Sequence, residues 1–269
     1  ACSTGGLGAG GGAAHPASAR MKAIAQAASQ VRWEYRVGYM VDGLGRTFIL
    51  TEVTCRPRMP HFDPMKIATW NINSLNVRLP QVLDWLAAQP PDAPVDVLAL
   101  QELKLTDDKF PAMAFQEAGY AAQWFGQKTY NGVALISRHG ATDVVKNIPG
   151  FADDMARVIS ATFPAAGTDV RVIGAYFPNG QEPGSDKFAY KMRWLDALRE
   201  WVRAELAAHP RLVLLGDYNI TFDDLDVWDP VGLAGTIHCT DEERTHLKAL
   251  IDLGLSDAFR LFPQPEKSF

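Results

Sequence analysis

The segment 212–220 reads Leu-Val-Leu-Leu-Gly-Asp-Tyr-Asn-Ile, an apolar run that ends in polar residues. Four consecutive apolar residues predict a strand that is buried on both faces of its sheet. Residues two apart in an extended chain point to the same side, so Asp217 and Asn219 are expected to face one site at the end of that strand. An ordinary strand that ends in an Asx turn is the alternative interpretation.

Three other apolar runs also deliver a polar side chain at their end, namely Asn71, Glu102 and Tyr176. Taken singly, these residues could be a turn former, a solvated strand end and an interfacial aromatic. If the strands lie side by side, the three residues and Asp217 meet at one edge of the sheets. Oxygen ligands of this kind suit Mg²⁺, which binds one or two carboxylates together with water and substrate phosphate. The predicted chemistry is metal-assisted attack of water on a phosphodiester, with Asp217 orienting or deprotonating the water.

The order of strands and helices predicts a layered α/β domain. Helical spacing of apolar residues occurs at Leu79–Leu86 and again at Leu195–Leu206, and the Thr240-x-x-Glu243 capping box begins a further helix. Several strands follow one another without a helix between them, which predicts antiparallel pairs. No dinucleotide fingerprint, phosphate-binding Walker loop, nucleophile elbow or His-Glu-x-x-His motif is present in the sequence.

Composition indicates a globular protein with an acidic body. The 269 residues are 47% apolar and 21% charged, with a net charge of −5. Residues 1–64 carry a net charge of +3, which leaves −8 for the rest of the chain and favours a carboxylate-rich cation site over passive coating of phosphates. No membrane span is predicted. The three dispersed cysteines indicate a reducing compartment, and we expect a cytoplasmic location.

Residues 1–64 are interpreted as a leader or extension, disordered or partly structured, that precedes a domain at 65–269. Gly, Ala and Ser dominate residues 1–19, which cannot bury a core. Alternating residues around a Gly-rich turn at 42–45 predict a β-hairpin between Val31 and Thr54. Cys55–Pro64 is interpreted as a linker.

Five motifs occur in a fixed order along the domain, and together they closely resemble bacterial exonuclease III of the endonuclease/exonuclease/phosphatase superfamily. They are Trp70-Asn71-Ile72-Asn73, Leu100-Gln101-Glu102-Leu103-Lys104, Tyr130-Asn131-Gly132-Val133-Ala134, Tyr176-Phe177-Pro178-Asn179-Gly180 and Gly216-Asp217-Tyr218-Asn219-Ile220. The resemblance covers about Met65 to Phe269. It implies a four-layer α/β-sandwich, in which two packed mixed sheets are flanked by helices.

The resemblance also implies an activity and its partners. The expected enzyme is a DNA repair nuclease that uses Mg²⁺, or alternatively Mn²⁺, to cut 5′ to abasic sites. It would also have 3′→5′ exonuclease and 3′-phosphatase activities. The expected partner is double-stranded DNA with abasic sites or 3′ ends, bound by a monomer.

Site roles follow from the same resemblance, residue by residue. Asn71 and Glu102 are implied to hold the metal, and Tyr176 to contact the phosphate or assist the leaving group. Asp217 takes the general acid/base role, and Asn219 orients the water or phosphate. Two further residues are implied phosphate contacts: Arg157 and Asn179 (where the family often has Gln). Lys187 and Lys191 follow in a loop-to-helix stretch that suits contact with the DNA backbone. A solvated helix face is the alternative for the two lysines.

The chain departs from the family at both ends. The leader has no counterpart in the family. Family members continue past the last predicted helix with a Trp-containing DNA-binding loop, an Arg-Ile-Asp strand and a Ser-Asp-His motif. We therefore expect 65–269 to lack C-terminal strands, which would leave an unpaired sheet edge. Two alternatives to a DNA repair enzyme stay open: a catalytically inactive DNA-binding fragment, and a relative acting on a non-nucleic phosphoester.

Overall fold

The computed structural model describes residues 31–41, 47–57, 65–165 and 168–263 of the chain. The predicted Gly-rich turn, the segment 1–30 and most of the predicted linker lie outside these ranges. Within the described residues, no helix is both long enough and apolar enough to cross a membrane.

The described residues include ten strands, which form two sheets. The first sheet contains β1 (Val31–Val41), β2 (Thr47–Pro57), β3 (Met65–Asn71), β4 (Val97–Gln101), β5 (Ala121–Phe125) and β6 (Val133–Ser137). The second contains β7 (Thr142–Lys146), β8 (Val158–Phe163), β9 (Val170–Tyr176) and β10 (Leu212–Asp217). The strand orders are β1-β2-β3-β4-β6-β5 and β10-β9-β8-β7. Both sheets are mixed, because β3 runs parallel to β4 and β9 runs parallel to β10, whereas the other pairs are antiparallel.

Five α-helices are described: α1 (Leu75–Ala87), α2 (Ala112–Glu117), α3 (Asp186–Ala208), α4 (Pro230–Leu233) and α5 (Asp241–Ile251). Short 3₁₀ turns occur at Asp107–Lys109 and Asp224–Asp226. Helix α3 begins where the Ser185 hydroxyl accepts a hydrogen bond from the Phe188 N–H at 3.1 Å. The predicted capping box at Thr240 and Glu243 is confirmed at the start of α5.

Among the residues whose burial is described, three buried clusters separate four layers. Between the sheets, residues such as Ile67 and Leu135 of the first sheet pack with Ile159 and Val172 of the second. The outer face of the first sheet is covered by α1 and α2, and the outer face of the second by α3 and α5. Because the inner strands are covered on both faces, they are apolar at consecutive positions. The predicted four-layer α/β-sandwich is confirmed.

Strand β10 is less buried than its sequence predicts. Among the described strands, β10 pairs only with β9 and so lies at the edge of its sheet. Leu212, Val213 and Leu214 are half-buried, and only Leu215 is buried. The prediction of burial on both faces is therefore wrong for the first three residues, since an edge strand lacks a neighbour on one side.

Part of the predicted leader extends the first sheet. Strands β1 and β2 pair in antiparallel register from Val31 with Pro57 to Val41 with Thr47, which confirms the two strands of the predicted hairpin. Strand β2 also pairs with β3, from Leu50 with Trp70 to Cys55 with Met65. Cys55, predicted to begin a linker, therefore lies inside a strand.

Candidate active site

The site lies where four strand ends from both sheets come together. Parallel strands deliver their carboxyl ends to the same edge, so β3 and β4 bring Asn71 and Glu102 together, and β9 and β10 bring Tyr176 and Asp217 together. Because the two sheets pack face to face, these two pairs of residues converge at one mouth of the sandwich.

Asn71 joins the two sheets at this mouth. Its Nδ2 donates to Glu102 Oε1 at 2.9 Å and to Asp217 Oδ2 at 2.8 Å. Its Oδ1 accepts from the Asn73 N–H at 3.0 Å, which fixes the orientation of the amide. One carboxamide therefore holds two carboxylates close together, although they lie on strands of different sheets.

Glu102 has a backbone conformation that residues with a side chain rarely adopt. Its φ of 57° is in the left-handed region, as is the φ of 56° at Lys104. Such backbone strain is concentrated at functional sites, where the surrounding structure enforces it. The Lys104 ammonium contacts Glu102 Oε2 at 2.9 Å and also contacts Asn73 Oδ1. Burial acts to raise the pKa of Glu102, but hydrogen bonds from Asn71 and Lys104 outweigh it and hold the pKa below its ordinary value, so the carboxyl is ionised at neutral pH.

The other carboxyl is shifted in the opposite direction. Burial raises the pKa of Asp217 above its ordinary value, opposed by the hydrogen bonds from Asn71 and from the Asn219 N–H, which is 3.1 Å from Asp217 Oδ1. Asn219 has a φ of 48°, and its Nδ2 donates to the Phe177 carbonyl at 3.0 Å. Asp217 is thus the better proton acceptor of the two carboxylates.

Tyr176 stays protonated beside these carboxylates. Burial, reinforced by the charges of Glu102 and Asp217, raises the pKa of Tyr176 above its ordinary value. Its phenol is therefore a hydrogen-bond donor over the whole physiological pH range.

Arg157 lies over the aromatic rings of Tyr176 and Tyr190. Its guanidinium carbon is 5.3 Å from the centroid of the Tyr176 ring and 5.8 Å from that of Tyr190. Tyr190 in turn donates to Asp153 Oδ2 at 2.7 Å. The buried Arg157 Nε has no hydrogen-bond partner. Asp153 and Tyr190 carry no motif in the sequence and were missed there.

Sequence reasoning also missed a histidine at the site. His238 Nε2 lies 3.0 Å from Asn179 Nδ2, which makes the ring nitrogen the acceptor and places the two side chains together. His238 has a φ of 70°, and its N–H donates to Glu243 Oε1 at 3.2 Å. No local sequence signal marks this histidine, because the two partners are 59 residues apart.

The two predicted lysine contacts differ in the structure. Lys187 is exposed in the first turn of α3, and its DNA contact stays a prediction. Lys191 is fully buried, and its Nζ lies 2.5 Å from Glu243 Oε1. The prediction that Lys191 binds the DNA backbone is wrong for this structure, because its ammonium has no exposed surface and is bound by protein oxygens.

The oxygen groups at the mouth fit a hard cation for which water and substrate supply most of the ligands. Within the described ranges, no group of three His, Cys, Asp or Glu side chains could enclose a metal ion. Mg²⁺ does not require such a group, since it binds one or two carboxylates together with water and substrate phosphate. The ionised Glu102 supplies one carboxylate, and Asn71 Oδ1 has a second lone pair free to act as a ligand.

We expect the stability of the site to depend on pH through His238. Burial and the nearby Lys191 charge lower the pKa of His238 below its ordinary value of 6.5. A depressed folded-state pKa means that the folded protein favours the neutral ring. The free energy of unfolding is therefore at its full value above pH 6.5, and it decreases as the pH falls from 6.5 through the lower pKa of the folded state. Thermal melts at pH 8 and pH 5 should show a smaller loss of Tm for His238→Gln than for the wild type. An equal loss in the two proteins would contradict this assignment.

Comparison with known proteins places this geometry in a family. Residues 68–263 match the endonuclease/exonuclease/phosphatase family. Exodeoxyribonuclease III of Haemophilus influenzae is 30% identical over 207 residues, which cover 73% of this chain and 75% of that protein.

Solved structures agree with the sequence match. The Neisseria protein NExo, described as a 3′ phosphatase bound to a product DNA hairpin and as a 3′–5′ exonuclease, is 51% identical, with TM-scores of 0.67 and 0.66. The match covers 71% of this chain and 71% to 72% of NExo. An AP endonuclease from Archaeoglobus fulgidus is 33% identical with a TM-score of 0.64, and 71% of each chain is covered. The chain therefore belongs to the endonuclease/exonuclease/phosphatase family and is one of its hydrolytic exonuclease III-like and AP endonuclease-like nucleases.

Proposed function

We propose that the protein is a Mg²⁺-dependent DNA phosphoesterase that acts on 3′ ends, removing 3′ phosphates and 3′-terminal nucleotides. The observation that carries the proposal is the Asn71 amide, which holds an ionised Glu102 and a half-buried Asp217 at one mouth, with a protonated Tyr176 beside them. The 51% identity to a 3′ phosphatase that binds DNA supports the choice of substrate.

Each side chain at the mouth has its own role in the proposed hydrolysis. Asp217 accepts a proton from water as its oxygen bonds to phosphorus, and the raised pKa of this carboxyl favours that transfer. Asn219 and Tyr176 donate hydrogen bonds to phosphate oxygens, on which negative charge develops. The bond from phosphorus to the leaving oxygen breaks, and that oxygen takes a proton from solvent and leaves as a hydroxyl. Asp217 then releases the proton from the attacking water to solvent. Asn71 and Glu102 would hold a Mg²⁺ ion, whose chemistry is to neutralise charge on the phosphate and the leaving oxygen.

Incision 5′ to abasic sites is a second candidate activity. It is supported by the 33% identity to an AP endonuclease and uses the same water, base and phosphate contacts. The two candidate activities differ in how the DNA binds. A 3′ end can enter the mouth directly, whereas cleavage at an internal abasic site requires the duplex to continue beyond the mouth on both sides.

The proposal is tested with three labelled duplexes: one ends in a 3′ phosphate, one has a recessed 3′ hydroxyl, and one carries an internal abasic analogue. Each is incubated with Mg²⁺ or with EDTA. Metal-dependent release of phosphate or nucleotides from the first two is the expected result. Cutting of the abasic duplex alone would support the second candidate activity in place of the first. Turnover of none of the three duplexes by folded protein would overturn both candidate activities.

Glu102→Gln should weaken the response to Mg²⁺. Replacing the ionised carboxyl by an amide removes the charge that attracts the cation, so the Mg²⁺ concentration for half-maximal activity should rise at least roughly tenfold. Binding of Mn²⁺ measured by calorimetry provides a readout apart from turnover. Glu117→Gln, a substitution of an exposed carboxylate on α2, is the matched control. Unchanged metal binding in Glu102→Gln would show that Glu102 does not hold the metal.

A further inference from the structure

Two charged side chains beside the site have no contact with solvent. Lys191 of α3 and Glu243 of α5 are each 0% exposed, and Lys191 Nζ lies 2.5 Å from Glu243 Oε1. Burial lowers the pKa of Lys191, and its hydrogen bond to Glu243 opposes that change. Charged groups are rarely buried so completely, and an apolar pair of similar size is usually as stable. The pair therefore calls for an explanation other than stability.

Lys191 binds the two loops that carry the polar residues of the site. Its Nζ donates to the Asn219 carbonyl at 2.7 Å and to the Asn179 carbonyl at 3.2 Å, in addition to its contact with Glu243. All three ammonium protons are thereby used within the protein. Asn219 follows β10 and Asn179 follows β9, so one ammonium sets the spacing of the two loops.

Glu243 connects a third loop to the same point. Its Oε1 accepts from the His238 N–H at 3.2 Å, and its Oε2 accepts from the Thr240 N–H at 3.2 Å and from the Thr240 hydroxyl at 2.7 Å. His238 then contacts the Asn179 side chain. The ion pair therefore ties together the loops after β9 and β10 and the loop before α5.

We propose that Lys191 and Glu243 are positioning residues, which hold Asn219 and Asn179 in place relative to Asp217 without touching the substrate. Asn219 directly connects Lys191 to Asp217. The Asn219 N–H donates to the Asp217 carboxylate, and the Asn219 side chain donates to the Phe177 carbonyl. An apolar pair could fill the same volume but could not donate hydrogen bonds to two backbone carbonyls. This inference rests on the proposed function for its catalytic consequence.

The test compares two ion pairs that each have one member on α3. Lys191→Met/Glu243→Gln removes both charges and so leaves no unpaired buried charge. The control is Arg171→Met/Glu205→Gln, because Arg171 Nε lies 2.5 Å from Glu205 Oε2 and Arg171 is also buried. Arg171 is five residues before Tyr176 on β9, roughly 16 Å from the mouth at the usual rise of a strand.

Two measurements are made on each double variant after a cooperative thermal melt has shown that it is folded. On the labelled duplex that ends in a 3′ phosphate, Lys191→Met/Glu243→Gln should lose roughly 10- to 100-fold in kcat, with little change in KM, as expected for misplaced catalytic groups. Its amide hydrogen exchange at residues 179–182 and 219–222 should become about tenfold faster, because the loops lose their shared donor. The control pair should change neither quantity at the site.

Each outcome decides the inference. Wild-type kcat together with wild-type exchange in Lys191→Met/Glu243→Gln would overturn it and leave the pair a packing element. A raised KM with a shallower salt dependence and unchanged kcat would also overturn it, in favour of direct phosphate binding. If the wild type does not turn over DNA, the proposed function fails, and the exchange comparison still decides whether the pair positions the loops.

Discussion

Asp217→Asn should lower kcat on DNA 3′ phosphates by about 10³-fold, the range expected when a general base is removed. An amide has nearly the same shape as the carboxylate but cannot accept a proton from water at neutral pH. One oxygen remains to accept from the Asn219 N–H, so the loop after β10 should keep its conformation. The measurement is steady-state release of phosphate at saturating substrate and Mg²⁺, compared with the wild type.

The control for this variant is the same substitution at an exposed position. Asp92 lies in the exposed turn after α1, so Asp92→Asn should have wild-type kcat. If Asp217→Asn kept more than about a tenth of the wild-type kcat, the proton would have to pass to another group, since loss of a base rarely costs less than 10²-fold. That result would remove Asp217 from the proposed mechanism.

Gly216→Ala should cost roughly 4 kcal/mol of folding free energy, an unusually large effect for one methyl group. Gly216 has a φ of 143°, and a Cβ added there would lie 1.8 Å from the Ala175 carbonyl oxygen. That oxygen belongs to the neighbouring strand and cannot move without breaking the β9–β10 register. For a domain of this size the loss lowers the Tm by about 10 °C, measured in a thermal melt.

Activity should fall together with stability in this variant. Gly216 directly precedes Asp217, so any shift of β10 that relieves the contact moves the carboxylate away from Asn71. Gly140→Ala is the matched control, because a Cβ at Gly140 meets no atom within 4 Å. A Tm of Gly216→Ala within 2 °C or so of the control would show that the strands can separate at little cost, contrary to the close packing of protein interiors.

The sequence predicted the convergence of the central residues for a local reason. Asn71, Glu102, Tyr176 and Asp217 each end an apolar run, and parallel strands bring their carboxyl ends to one edge. Alternation and apolar runs record burial directly, so the layers and most strands followed from the pattern. The short strands β5 and β7 and the six-residue helix α2 were missed, because they have too few periodic residues.

Lys191 shows where a local pattern was misinterpreted. It lies four residues before Leu195, which places it on the apolar stripe of α3 that faces the core. The spacing therefore held a sign of burial, but a lysine in that position suggested a solvated or DNA-binding face. Its partner could not be inferred, since Glu243 is 52 residues away on another helix.

Strand ends, the layered α/β class and the four polar residues at the mouth depend on neighbours in the chain and on the repeat of strand and helix, so the order of amino acids was enough to predict them. The edge position of β10, the contact between His238 and Asn179, and the burial of Lys191 depend on which distant segments pack together. Pairing over long separations is set by the packing of the whole domain, which no single segment encodes.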